Sequence, residues 1–219
     1  MRKTVGMAYR LETAAARERA LVLGALAVVS ALLSWRLATP RFLVVRDTPL
    51  LPALWFGLVL CIGIALWASW NVLRLFVVLT SCFPAWILAV ETTLYVQHSI
   101  KTYTRNIPRP GSTVLEFLLP IVNYLWGLCG MVGGFLGSAI VVLAMSAALP
   151  VFIKSSSRVR TILVGTLSGV LLEAMAAPSE NGLSIHFQSL LPVFLVWQIS
   201  VAASIGYGLE PPAIALLKK

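Results

Sequence analysis

Residues 114–153 read VLEFLLPIVNYLWGLCGMVGGFLGSAIVVLAMSAALPVFI, and the division of this run decides the fold. Its only charged side chain is Glu116. A helix crossing a hydrocarbon core of about 30 Å needs roughly 20 apolar residues, so the run is about two spans long. Glycines punctuate it at Gly127 to Gly130, and a break there gives two helices, 114–129 and 131–153, joined as a tight hairpin.

Outward from this run, further apolar segments lie at 20–35, 51–69, 75–96, 161–177 and 187–207. Their boundaries carry local chemistry. Asp47 and Thr48 precede Pro49 in the pattern of a helix N-cap followed by proline, where the missing N–H costs nothing. Thr113 and Glu116 have the spacing of a capping box. Pro108, Pro110 and Gly111 break the chain ahead of that box, and Pro178 with Asn181 and Gly182 marks another turn.

Composition agrees with the segment count. The chain has 219 residues, 59% of them apolar and 11% charged, against roughly 45–50% and about 25% in a soluble domain. One membrane-embedded domain over residues 20–219 is expected, preceded by a basic tail over 1–19. Glu12 and Glu18 make that tail mixed in charge, unlike the leading region of a cleaved signal peptide. The net charge of +9 does not point to nucleic acid, because basic and aromatic residues do not interleave on a soluble face. The cations fall in short clusters between apolar runs, where they orient helices and meet anionic headgroups.

Those clusters are the tail; Arg36, Arg41 and Arg46; Lys101, Arg105 and Arg109; Lys154, Arg158 and Arg160; and Lys218 with Lys219. Positive loops stay on one side of a membrane. If the short first segment lies in the interface or re-enters, and the other six cross, every cluster except Arg74 lands on the same side. The expected fold is therefore all-α: a polytopic transmembrane bundle of six spans plus an N-terminal interfacial or re-entrant helix, with seven spans as the alternative.

Polar groups inside such a bundle are the candidate site, because they are costly in hydrocarbon and persist for a reason. Glu91 and Glu173 are the ionisable ones, and Asn123 and Gln198 the neutral amides. In this topology Glu91 sits near the inner boundary and Glu173 near the outer one. Glu91 finds its partner in Thr92, Thr93 or a neighbouring helix. Gly130 and Gly134, Gly133 and Gly137, and Gly165 and Gly169 are spaced four apart, so each pair shares a helix face that another backbone can approach closely.

Other chemistries lack their residues. Cys61, Cys82 and Cys129 are dispersed in apolar runs, and His98 and His186 fall in separate loops, so no metal is expected. Neither Gly-x-Ser-x-Gly, nor His-Glu-x-x-His, nor a phosphate loop occurs. No cofactor can be named. The expected partners are membrane lipids and other membrane subunits. The reading that follows is a structural or accessory subunit of a membrane complex. Its alternatives are a small transporter or channel using Glu91 or Glu173, and an intramembrane enzyme acting on a lipid or isoprenoid.

Overall fold

The computed structural model describes residues 2–37, 44–45, 48–68, 70–105, 113–149, 155–175 and 191–209. Over 2–11, 37, 101, 103–105, 113–127, 171–175 and 192–193 it describes the helical course of the backbone alone. Among these residues six helices form: α1 (Arg2–Leu37), α2 (Leu51–Trp67), α3 (Val72–Arg105), α4 (Thr113–Ala148), α5 (Ser155–Met175) and α6 (Leu191–Gly208). Two short strands, β1 (Val44–Val45) and β2 (Thr48–Pro49), pair antiparallel between α1 and α2.

The hairpin expected at Gly127 to Gly130 does not form. α4 runs unbroken for 36 residues, about 54 Å at the helical rise. A break at this depth would expose N–H and C=O groups to lipid, at several kcal/mol each, whereas glycine in an unbroken helix costs only about 1 kcal/mol. The seven apolar segments therefore become six helices. The first of them is longer than the marginal segment suggested, because α1 begins at Arg2 and carries the basic stretch and the apolar stretch as one helix.

The N-cap expected at Asp47 and Thr48 is also displaced. Thr48 and Pro49 pair in β2, and α2 starts at Leu51 with Leu50 at the cap and Pro52 in the first turn. α3 has the side-chain cap instead: the Arg74 N–H donates to Asn71 Oδ1 at 3.2 Å. Thr113 does begin α4, though the side chains of Thr113 and Glu116 lie outside the described ones.

Side-chain contacts order the helices into a ring. Gly57 of α2 packs on Leu79 and Cys82 of α3, and Gly137 and Gly133 of α4 pack on Ala85, Ala89 and Thr93 of α3. Gly134 meets Gly165, Gly130 meets Gly169, Ser157 meets Gly208, and Arg19 meets Gly206. In each of these seams the residue numbers run in opposite directions, so neighbours are antiparallel all the way round. α6 closes back onto α1, and α1 onto α2.

The interior where α1, α2, α3, α4 and α6 converge holds Leu23, Phe56, Leu60, Ile64, Val141 and Met145 among its buried residues. The perimeter is as apolar as the interior, with Leu21, Leu66, Phe76, Leu143, Leu163 and Leu167 all exposed. A molecule that turns apolar side chains outward on every helix face is solvated by lipid. Three stretches, Glu12–Arg36, Val72–Ile100 and Leu128–Ala148, are long and apolar enough to cross a bilayer. The chain is an integral, multi-pass membrane protein.

The continuous α4 overturns the one-sided distribution of cations. Lys101 lies toward the end of α3 that leads into the start of α4, while Arg158 and Arg160 lie in α5 beyond the far end of α4. These clusters occupy opposite ends of the ring. Lys154 itself, like Arg41, Arg46, Arg109, Lys218 and Lys219, lies outside the described residues.

Candidate functional site

Glu91 is half-buried on α3, and its Oε1 accepts a hydrogen bond from the Thr48 hydroxyl at 3.1 Å. Its partner is the β2 strand, not Thr92 or Thr93. One turn earlier on α3, Trp86 Nε1 donates to the Pro49 carbonyl at 2.8 Å. The two bonds fasten the strand pair along α3. Thr93 faces the other way, donating to Ala89 O at 2.7 Å and reaching Cys129 O of α4 at 3.5 Å.

Gln198 is buried in α6 opposite α1. Ser30 donates its hydroxyl to Gln198 Oε1 at 2.8 Å, and Gln198 Nε2 lies 3.4 Å from Ser34 Oγ. Ser34 in turn donates to the Ser30 carbonyl. Gln198 also lines a cavity between α2, α3, α4 and α6, together with Ala53, Phe56, Cys82, Trp86 and Trp197. Its volume open to water centres is ≈ 10 Å³, room for about one water molecule. Phe56 and Trp197 of its lining pack at 5.2 Å between ring centroids, and Trp86 packs on Phe194 at 5.3 Å.

The expected separation of Glu91 from Glu173 changes with the fold. α3 and α5 run parallel on either side of α4, and Gly133 packs beside Thr93 just as Gly169 packs beside Gly130. The backbone at Glu173 is thus about one turn from the level of Glu91, not a bilayer away. The side chains of Glu173 and Asn123 lie outside the described ones, as does all of His186. His98 is exposed on α3. The thiols of Cys61 and Cys82 donate to backbone carbonyls, of Leu75 and Val78.

The glycines occupy two seams. Gly130, Gly134, Gly165 and Gly169 bring α4 and α5 together backbone to backbone, while Gly133 and Gly137 turn the adjacent face of α4 to α3.

A further polar group was not singled out from sequence. At the start of α5, Arg160 donates from Nε to Ser204 Oγ at 3.1 Å and from Nη2 to Ser204 O and Ser157 Oγ at 3.0 and 3.2 Å. Its guanidinium lies 4.4 Å from the ring centre of Tyr207. Ser157 and Thr161 also bond to Ser204. The signal was helical spacing: 157, 160 and 161 share one face of α5, and 204, 207 and 208 share one face of α6. Lys154, Arg158 and Arg160, taken as a cluster between apolar runs, conceal it. Gln97, buried on α3 with its Oε1 unbonded, was passed over too.

No protein-family model, curated protein or solved structure matches the chain.

Proposed function

We propose that the chain is a six-span structural subunit of a larger membrane complex. The observation that carries this reading is the use to which the interior polar groups are put. Thr48–Glu91 and Trp86–Pro49 fasten the strand pair to α3, and Gln198–Ser30 fastens α6 to α1. Each joins one chain segment to another, around a cavity the size of one water.

Six crossings are supported by helix length and arrangement. The shortest helix, α2, has 17 residues, about 25 Å, close to a hydrocarbon thickness of about 30 Å. α1 is flanked by α6 and α2, as a spanning helix is. α3 runs on past Thr93 to Arg105, about 18 Å, and α4 begins at Thr113, about 24 Å before Cys129. Mild-detergent purification of the full chain, with mass and composition determined, should return discrete partners in fixed ratio. A stable monomer that is active alone would refute the subunit reading.

One observation favours a second reading, a small transporter. Glu91 is a carboxylate in an apolar helix that, among the described residues, accepts from one hydroxyl, leaving acceptor capacity for a proton or cation. Flux through reconstituted vesicles that Glu91→Gln abolishes would support it, and flux that survives the change would defeat it.

A further inference from the structure

We propose that Arg160, with Tyr207 beside it, is a binding site for the phosphate of an anionic phospholipid. The inference requires the membrane placement of the chain and stands apart from the subunit reading. A guanidinium has five N–H donors. Nε and Nη2 account for three, engaged by Ser204 Oγ, Ser204 O and Ser157 Oγ. Every one of these acceptors is neutral, and so is the ring of Tyr207 against the guanidinium. They fix the direction of the side chain without cancelling its charge. Among the described residues the two Nη1 donors meet no acceptor and no carboxylate pairs with Arg160.

A half-buried, unneutralised cation is costly in a low-dielectric setting, and its neighbours do not relieve it. Arg158 lies on the same helix, and Arg19 lies at the same height on α1, its carbonyl against Gly206. Among the described residues nothing supplies the counter-charge, and the site is open to an anion. Its place in the fold names the source. Arg160 is in the second turn of α5, and Tyr207 is next to the last residue of α6, the zone of lipid headgroups and amphipathic aromatic rings. From there Val159, Leu163 and Leu167 run down α5 at four-residue spacing, each more than half exposed. That stripe offers an acyl chain a continuous apolar track beneath a bound headgroup. A planar guanidinium with open donors matches the oxygens of a phosphodiester.

The test uses the full chain in nanodiscs of phosphatidylcholine doped with phosphatidylglycerol, with lipid retention read by native mass spectrometry. Wild type should hold phosphatidylglycerol about tenfold or more over phosphatidylcholine, as charge-assisted hydrogen bonds allow. Arg160→Gln should remove that preference, Arg160→Lys should keep part of it, and Tyr207→Leu, which leaves the Ser204 and Ser157 bonds in place, should weaken it. Arg17→Gln, an exposed cation near the same end of the ring, should leave most of it. An unchanged preference in Arg160→Gln, or an equal loss in Arg17→Gln, would overturn the site. Displacement of the lipid by millimolar inorganic phosphate would overturn the lipid assignment in favour of a soluble anion.

Discussion

Placing one methyl group at Gly169 tests the packing of the ring. A Cβ built there would meet the carbonyl oxygen of Gly130, and would lie 2.9 Å from Gly130 C and 3.1 Å from Gly134 Cα. Ordinary contact is about 3.5–4.0 Å, so α4 and α5 must separate by about 0.5–1 Å. The atoms in the way are backbone and cannot turn aside. A gap of that size forfeits a quarter to a half of each dispersion well along the seam, and overpacking of this kind costs about 1–3 kcal/mol. Replacing glycine by alanine in a helix returns about 1 kcal/mol, leaving a net loss of up to about 2 kcal/mol, or a factor of up to about 30 in the folding equilibrium. Gly24→Ala is the matched control. Its Cβ would sit 3.8 Å from both Ala203 Cβ and Ile199 Cγ2, so the propensity gain stands alone and the protein should be unchanged or more stable. Reversible unfolding in mixed micelles, followed by tryptophan fluorescence, measures both. Equal stability of the two variants would refute the close α4–α5 approach.

Gln198→Leu should lower stability by about 0.6–1.7 kcal/mol, the span measured for interhelical hydrogen bonds in membranes; the same unfolding assay checks it, and no loss would mean that the Ser30 bond does not hold α1 to α6. Trp86→Phe removes the 2.8 Å bond to Pro49 O and should cost about 1 kcal/mol. Thr48→Val, which removes the longer bond to Glu91 at 3.1 Å, should cost less than that. If Thr48→Val proved the more damaging of the two, the strand pair would be held chiefly through Glu91.

What could be read from sequence was local. Apolar length and scarce charge make a membrane helix wherever they occur, and four-residue glycine spacing puts Gly130 with Gly134, and Gly165 with Gly169, on one face of whatever helix holds them. What could not be read was how far a helix continues and what it meets. Gly127 to Gly130 has the composition of a turn, but lipid penalises an open backbone more than it penalises glycine. Moving that one boundary put Arg158 and Arg160 at the end of the ring opposite Lys101 and brought the backbones of Glu91 and Glu173 toward one level. Thr48 invites an N-cap reading because its neighbours are Asp47 and Pro49, yet its partner Glu91 is 43 residues away. Ser30 and Ser34 give no sequence signal beyond a hydroxyl in an apolar run. Their roles come from the closure of α6 onto α1.

The continuous α4 linking opposite ends of an antiparallel ring is the claim on which the rest depends. His98 on α3 and Ser156 on α5 are both exposed, one near each end. Single-cysteine variants at these positions, in a background with Cys61, Cys82 and Cys129 replaced, can be labelled in sealed vesicles with a membrane-impermeant maleimide. Labelling of the two positions from opposite compartments is the expected result, and labelling of both from the same compartment would contradict it.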